Sequence, residues 1–164
     1  MSSENKKMQI SVDLMRVEDL PSILVIERES FVTPWTEGMF LDELRARHSQ
    51  CLVIKTEIEG KELIAAYIIF WFVADEVHLH NLAVRKEFRR QGLAFTMMQL
   101  MKEFAAQAGI KSQTLEVRES NDEAITLYRK CGFVVKGKRP LYYTDTREDA
   151  LVMWAENRQE SKND

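Results

Sequence analysis

Cysteine, proline and glycine are all scarce in this chain of 164 residues, which contains two cysteines, three prolines and six glycines. Cys51 and Cys131 are far apart and have neither a metal-binding nor a redox spacing, so we expect reduced thiols in an intracellular protein rather than a disulfide framework. The sequence also lacks repeats, linkers and low-complexity stretches. Together with the length, this predicts a single domain at residues 1–157, followed by a polar tail at 158–164.

The chain has no long hydrophobic run and no excess of positive charge. Its longest apolar stretch, at residues 63–74, is too short to span a bilayer and is typical of a buried strand. The net charge of -3 creates no basic field that would attract nucleic acid or an anionic membrane, so any anion site has to be built locally. Residues 1–7 are polar and lack the apolar segment of a signal peptide. We therefore expect a cytoplasmic enzyme or binding domain without a nucleic-acid or membrane partner.

The two best-known phosphate-binding loops are absent as well. The chain has neither the Gly-Lys-Ser/Thr ending of a nucleotide-hydrolase loop nor the three spaced glycines of a dinucleotide fold. Instead, the basic turn Phe-Arg-Arg-Gln-Gly-Leu-Ala-Phe at 88–95 follows an apolar run at 78–84 and precedes a helical pattern. Unpaired N–H groups at a helix start attract an anion, and Gly92 would let that anion approach the main chain. Taken alone, the turn indicates an ordinary helix start as strongly as a phosphate site.

The pattern of apolar residues predicts the element order β-α-α-β-β-β-α-β-α-β-β. Alternation at residues 8–14 indicates a half-buried strand, and three runs between residues 51 and 84 indicate an antiparallel meander. The apolar stripe at 94–108 is the clearest helix, and its methionines are expected in the core. Ser-Asn-Asp-Glu at 120–123 has the form of a capping box at the next helix. This order is typical of an α+β sheet with helices on both faces.

Glu116 is a charged residue in the middle of a strand-like run at 114–118. Because helical segments flank this run in sequence, the strand is expected to be interior, where a carboxylate is costly unless it is paired, hydrated or functional. A catalytic base with a raised pKa is one explanation. A strand-end glutamate paired with Arg118 is the other, and the sequence leaves both open.

Tyr128 lies on the apolar side of the last predicted helix, where a tyrosine commonly packs in the core. Its phenol, with an ordinary pKa of about 10, would also suit the protonation of a departing thiolate. Asn121, near the start of that helix, is a candidate either for a helix cap or for a ligand contact.

Two histidines and three aromatic residues complete the candidates. His78 and His80 alternate on one strand face, but no cluster of cysteine, histidine or acidic residues accompanies them, so we expect no metal and interpret both as surface or substrate-groove residues. Trp35 is expected either to anchor its loop to the core or to line a groove. The same two interpretations apply to Tyr142 and Tyr143.

Together these residues resemble one family, the GCN5-related N-acetyltransferases (GNAT), and within it the bacterial ribosomal-protein alanine N-acetyltransferases. The resemblance covers nearly the whole chain and weakens between residues 45 and 73. The matching motifs, in chain order, are Pro-Trp-Thr at 34–36, Asn-Leu-Ala-Val at 81–84, Arg-Arg-Gln-Gly-Leu-Ala at 89–94, Leu-Glu-Val-Arg at 115–118, Ser-Asn at 120–121, Ala-Ile at 124–125, Leu-Tyr at 127–128, Gly-Phe at 132–133, Tyr-Tyr at 142–143 and Arg-Glu-Asp-Ala at 147–150.

The resemblance implies a GNAT fold, with a mostly antiparallel central sheet, helices on both faces, and a bulge that splays two parallel strands apart at the cofactor. It implies acetyl-CoA as the cosubstrate and no metal. It also implies Glu116 as general base, Tyr128 as general acid, and an acceptor groove at Trp35, His80 and Tyr142. The residues that it implies for acetyl-CoA binding are Leu82, Ala83, Val84, Arg90, Gln91, Gly92, Leu93, Ala94, Phe95 and Asn121.

By the same resemblance, the acceptor is the N-terminal α-amine of an alanine in a ribosomal small-subunit protein, attacked directly in a ternary complex. An α-amine has a pKa of about 8 and a lysine amine about 10.4, so a modest base suffices for the former at neutral pH. Ala94 replaces the more common final glycine of the loop motif. The alternatives are the same chemistry on another protein N-terminus, a lysine or a small molecule, and a non-catalytic acyl-CoA-binding module. The oligomeric state stays open.

Overall fold

A computed structural model describes residues 7–157 and contains, within that range, seven strands and four α-helices in the predicted order. The strands are β1 (Ile10–Leu14), β2 (Ser49–Ile58), β3 (Lys61–Val73), β4 (Glu76–Val84), β5 (Ser112–Arg118), β6 (Val134–Tyr143) and β7 (Glu148–Glu156). The helices are α1 (Leu20–Ser30), α2 (Glu37–Arg45), α3 (Leu93–Gln107) and α4 (Asp122–Lys130), with one-turn 3-10 segments at Val17–Asp19 and Lys86–Phe88.

The predicted tail at 158–164 and the first six residues of the polar start lie outside the described residues, so the domain boundary stays a prediction. Within residues 7–157, every helix is too short or too polar to cross a membrane.

The strands form one sheet in the order β1-β2-β3-β4-β5-β7-β6, and every neighbouring pair is antiparallel except β4 and β5. Helices α3 and α4 cover one face, where Met97, Met98 and Met101 pack in the core, as predicted. Helices α1 and α2 cover the other face through residues such as Ile23 and Phe40. The predicted α+β architecture, with its antiparallel meander and helices on both faces, is confirmed.

Strands β4 and β5 run parallel and separate along their length. They pair only through Glu76, Val77 and His78 of β4, with His78 opposite Thr114. Just beyond that point His80 is the extra residue of a bulge, because the facing strand β3 continues its register across it. A bulge bends a strand and increases its twist, so β4 turns away from β5. The predicted splayed pair is therefore present, and the gap between its strands lies inside the sheet.

The prediction of a half-buried first strand is wrong. Ile10, Val12 and Leu14 are 39%, 44% and 57% exposed, although their alternation does mark a strand. Strand β1 is the edge of the sheet and pairs only with β2. Alternation of apolar and polar residues predicts a strand, but a strand is buried only if another element covers one of its faces. The alternation gives no information about such an element.

The predicted capping box at residues 120–123 is also wrong. The N-cap of α4 is Asn121, whose Oδ1 accepts a hydrogen bond from the Ala124 N–H at 3.2 Å. The Ser120 hydroxyl instead donates to Glu148 on β7. A serine at a helix start bonds whichever acceptor the fold brings near it, and here that acceptor comes from a distant strand.

Candidate active site

A cavity of about 500 Å³ lies between β4, the start of α3 and the start of α4. Nine of the ten residues predicted for acetyl-CoA binding line it, and so does Tyr128. The nine are Leu82, Ala83, Val84, Arg90, Gly92, Leu93, Ala94, Phe95 and Asn121. Gln91 is exposed in the turn and does not line the cavity. The structure thus brings the predicted binding residues together on the side of the sheet covered by α3 and α4.

The N-terminus of α3 faces this cavity without a capping side chain. Its N-cap is Gly92, in the left-handed region at φ 79°, whereas Thr36 caps α2 and Asn121 caps α4 through side-chain oxygens. The first N–H groups of a helix have no partner within the helix and carry the positive end of its dipole. A Cβ at position 92 would meet no heavy atom within 4 Å, so the main chain here is open to a ligand. These features suit a phosphate group.

Two arginines of the turn have different surroundings. The Arg89 guanidinium donates from Nε to the Val84 carbonyl at 3.0 Å and from Nη2 to the Ser30 hydroxyl at 3.1 Å, which ties the turn to β4 and α1. Both arginines line the cavity, but the side chain of Arg89 is held by these two bonds, whereas Arg90 has a positive φ of 62° and no side-chain hydrogen bond among residues 7–157. Arg89 therefore shapes the turn, while Arg90 contributes charge at the cavity mouth.

Tyr128 reaches the cavity from α4. The residue is half-buried, its ring lies 6.2 Å from that of Phe133, and its hydroxyl has no hydrogen-bond partner among residues 7–157. Burial raises the pKa of Tyr128 well above its usual value, with Tyr143 and Cys131 adding to the effect. The phenol therefore stays protonated in the physiological pH range and is available as a proton donor.

Glu116 faces away from the cavity side of the sheet. Its neighbours on β5, Leu115 and Val117, pack in the core under α3 and α4, and the side chain of Glu116 points to the opposite face. Its Oε2 lies 2.5 Å from Nε2 of His78, and its Oε1 lies 3.4 Å from Nη2 of Arg139. Burial raises the pKa of Glu116, but the His78 hydrogen bond and the charges of His78, Arg139 and His80 outweigh it, so the net pKa is lowered. The expected raised pKa is wrong.

The alternative pairing of Glu116 with Arg118 is absent from the structure. The Arg118 guanidinium donates to Asp145 from Nη1 at 2.8 Å and from Nη2 at 2.6 Å. The Asp145 carboxylate also accepts from the Thr33 hydroxyl at 2.7 Å and from the Thr146 N–H at 2.8 Å. This bridge joins β5, the β6–β7 loop and the loop before α2. Nothing in the sequence pairs these three positions, and no local signal could have found them.

The cavity with Tyr128 and the side with Glu116 lie on either side of the unpaired part of β4 and β5. Past His78 the two strands share no backbone pairing, so no ladder of hydrogen bonds closes the sheet there. Tyr143 is close enough to both to raise the pKa of Tyr128 and to have its own pKa affected by Glu116. Burial is the main cause that raises the pKa of Tyr143 to about 12, and the neighbouring Tyr142 adds to the effect.

The three residues predicted for an acceptor groove have different surroundings, and the groove itself stays a prediction. His80 stacks on Trp71 at 3.7 Å beside His78, and burial, followed by the charge of His78, lowers its pKa to about 4. Trp35 packs against Phe40 in the core, with ring centroids 5.3 Å apart, so it anchors its loop. Tyr142 is 48% exposed at the end of β6. Of the three, His80 is the one whose charge acts on Glu116.

A buried carboxyl group holds the Trp35 loop and strand β4 together. Glu27 on α1 is 1% exposed, and it accepts hydrogen bonds from the Trp35 N–H at 2.9 Å, from Nδ2 of Asn81 at 2.9 Å and from the Tyr67 hydroxyl. Burial and the neighbouring Glu27 raise the pKa of Tyr67, which keeps its hydroxyl a donor. This cluster fixes β4 just beyond its bulge.

Replacing Glu27 by alanine is expected to lower the free energy of unfolding by at least about 2 kcal/mol, because three donors lose their acceptor in the core. Urea unfolding measures this. Glu29→Ala is the matched control, since Glu29 is exposed on the same helix, and its effect should stay within about 0.5 kcal/mol. Equal stabilities of the two variants would show that the Glu27 cluster contributes nothing.

Comparison with known proteins identifies the family. Residues 20–133 match the Acetyltransferase (GNAT) family. A Bacillus subtilis (strain 168) protein, provisionally named as a [ribosomal protein bS18]-alanine N-acetyltransferase, is 38% identical over 90% of this chain and 96% of its own. The [ribosomal protein bS18]-alanine N-acetyltransferase of Escherichia coli (strain K12) is 34% identical over 87% of this chain and 95% of its own.

A solved structure agrees with these sequence relatives. The crystal structure of the ribosomal-protein-S18-alanine N-acetyltransferase from Escherichia coli superposes with a TM-score of 0.80 and 31% identity, and the match covers 94% of this chain and 98% of that one. The predicted resemblance and fold are thereby confirmed. The chain belongs to the acetyltransferase (GNAT) family and is an N-acetyltransferase.

Proposed function

We propose that this enzyme transfers the acetyl group of acetyl-CoA to the N-terminal α-amine of ribosomal protein bS18, at an alanine, in the cytoplasm. The observation that carries this proposal is the similarity, over nearly the full length of both chains, to relatives named for that activity. The acceptor is a protein chain end, so the proposal needs no direct contact with nucleic acid or a membrane.

The residues of the cavity fit acetyl-CoA. The uncapped start of α3, with Gly92 and Arg90, would hold the diphosphate, since it offers unpaired N–H groups and positive charge. The segment Leu82, Ala83 and Val84 lies beyond the last β4–β5 pair, so its backbone on that side is open to the amides of the pantetheine arm. Asn121 would contact the same arm. The thioester would then lie at the gap between the strands.

Direct transfer fits the state of the two thiols. Cys51 and Cys131 are both buried in the hydrophobic cores, and burial is the main factor that raises the pKa of each thiol. Neither lies on the cavity wall. We therefore propose that the amine attacks the thioester without an acyl-enzyme. Glu116 supplies the negative charge that removal of the ammonium proton requires, and Tyr128 protonates the leaving thiolate.

Replacing Tyr128 by phenylalanine is expected to lower kcat about tenfold or more, because the leaving thiolate loses its proton donor. Steady-state release of free thiol at saturating substrates measures the rate. The free energy of unfolding should change by less than about 0.5 kcal/mol, since the hydroxyl has no partner among residues 7–157. Normal turnover in a stable variant would make Tyr128 a packing residue only.

An acceptor panel tests the proposed function. The enzyme is offered a peptide that begins with alanine, the same peptide blocked at its N-terminus and carrying a lysine, and spermidine, with mass spectrometry to locate the acetyl group. Acetylation of the free peptide at its α-amine, far faster than of the other two, is expected. Preference for lysine or spermidine would reassign the acceptor, and acetyl-CoA binding without transfer to any amine would indicate an acyl-CoA-binding module.

A further inference from the structure

His78 and Glu116 form an imidazole–carboxylate pair at the point where β4 and β5 separate. His78 belongs to the last paired position of β4, and Glu116 lies two residues beyond its partner on β5. The atoms Nε2 and Oε2 are 2.5 Å apart, and the two side chains are 25% and 11% exposed. The carboxylate is therefore the more shielded member, and the imidazole is the more accessible one.

The surroundings keep Glu116 ionised. Besides His78, the charged groups that act on Glu116 are Arg139 on β6 and His80 on β4, and Glu116 itself acts on Tyr143 at the end of β6. Glu43 on α2 and His48 before β2 act on His80 and not on Glu116. The His78 bond and the Arg139 guanidinium lower the pKa of Glu116 despite its burial. A carboxylate whose pKa lies below its ordinary value is a weak proton acceptor for an ammonium group whose pKa is about 8, whereas imidazole is by its chemistry the stronger base.

We propose that His78 takes the proton from the acceptor ammonium, while Glu116 orients the imidazole and stabilises its charged form. The proposal rests on the proposed acetyl transfer to an amine and deepens it by assigning the proton. Pairing with an anion places the Nε2 hydrogen toward Glu116, which leaves the lone pair on Nδ1. This division of roles between an imidazole and a buried carboxylate requires only the contact already present.

The protons balance in this scheme. Nδ1 of His78 accepts one proton from the ammonium group, and the freed amine nitrogen bonds the thioester carbonyl carbon as the carbon–sulfur bond breaks. Tyr128 gives its proton to the thiolate and recovers one from the nitrogen that becomes the amide. His78 then releases its proton to water, so each acetyl transfer yields one free thiol, one amide and one proton.

The test compares the pH dependence of kcat in wild type, His78→Gln and His48→Gln, with acetyl-CoA and the amine acceptor saturating. The chain has three histidines, and His48 is exposed, so it serves as the matched control. His78→Gln should lower the maximal kcat about tenfold. It should also move the pH at which kcat falls off in acid at least about one unit lower, into the range where a carboxylate titrates. His48→Gln should leave both unchanged.

A second variant guards against a folding defect. In His78→Ala, added imidazole should restore part of the rate, with no effect on His48→Ala, and calorimetry with acetyl-CoA should show that both variants still bind it. An unmoved acid limb in His78→Gln together with no rescue of His78→Ala would assign the proton to Glu116 itself and overturn the proposal. Failure to acetylate any amine would instead overturn the proposed function, so the two failures are distinguishable.

Discussion

Replacing Glu116 by glutamine is expected to lower kcat about 100-fold or more while acetyl-CoA affinity stays within about twofold of wild type. Glutamine has nearly the same shape and can still bond His78, but it carries no negative charge to stabilise a protonated imidazole or to accept a proton. Glu116 lies on the face of the sheet opposite the cavity and does not line it, so cofactor binding should be spared.

Steady-state kinetics and isothermal titration calorimetry measure the two quantities separately. Glu119→Gln is the matched control, because Glu119 is exposed just beyond the end of β5 and pairs with Lys138 instead. Turnover in the control should be unchanged. If Glu116→Gln turned over at the wild-type rate, Glu116 would have no part in the proton transfer.

The same substitution has a predictable effect on stability. Because the folded-state pKa of Glu116 lies below the ordinary value of 4.5, its charge stabilises the folded protein above that pH, and the contribution is lost as pH falls through the lowered pKa. The stability deficit of Glu116→Gln should therefore be largest near neutral pH and shrink in acid. Urea unfolding of wild type and variant, at neutral pH and at a pH below the ordinary pKa of a glutamate, measures how the stability deficit changes with pH. The unfolding curve at neutral pH also shows whether the variant is folded in the kinetic assays.

Replacing Gly92 by valine is expected to weaken acetyl-CoA binding about 100-fold, equivalent to one or two charge-assisted hydrogen bonds of about 1.5–3 kcal/mol each. A β-branched residue strains the backbone at φ 79° and places its side chain where the anion would approach the N–H groups of α3. The change should act on binding far more than on folding, and calorimetry measures the affinity.

Gly60→Val separates strain from ligand contact. Gly60 has nearly the same φ of 77° and, like Gly92, no heavy atom within 4 Å of an added Cβ, but it lies in the β2–β3 turn, away from the cavity. Both variants should lose about 1–2 kcal/mol of stability from the left-handed backbone. Only Gly92→Val should lose affinity. Equal acetyl-CoA affinities in the two variants would remove the turn from the binding site.

The parts of the site that follow from local sequence could be predicted. The start of α3 is encoded within a few residues, by a glycine followed by a strongly apolar helix, and the cavity forms around it. The opening between β4 and β5 follows from the resemblance of their motifs to the family, which implies a splayed pair of parallel strands. Asn121 was predicted either to cap a helix or to contact a ligand. It caps α4 and also lines the cavity, so the two roles do not exclude each other.

The electrostatics of Glu116 could not be predicted, because they depend on side chains far away in sequence. A glutamate on a covered strand suggests a raised pKa, because burial is the only effect on the carboxyl group that the sequence pattern reveals. His78, on the neighbouring parallel strand, and Arg139, on β6, reverse the sign. The sequence shows only that His78 and His80 alternate on one strand face, and the parallel pairing that brings His78 close to Glu116 is a property of the folded sheet.

If acetyl-CoA binds at the uncapped beginning of α3 as proposed, the stability of the enzyme depends on the concentration of its cosubstrate. The first N–H groups of this helix have no capping side chain, and a bound diphosphate would supply the hydrogen-bond acceptor that they lack. At a ligand concentration one hundred times Kd, mass action adds about 2.7 kcal/mol to the native state. At high acetyl-CoA concentration the folded state would therefore be more stable and less exposed to proteolysis. At low acetyl-CoA concentration this added stability would be lost.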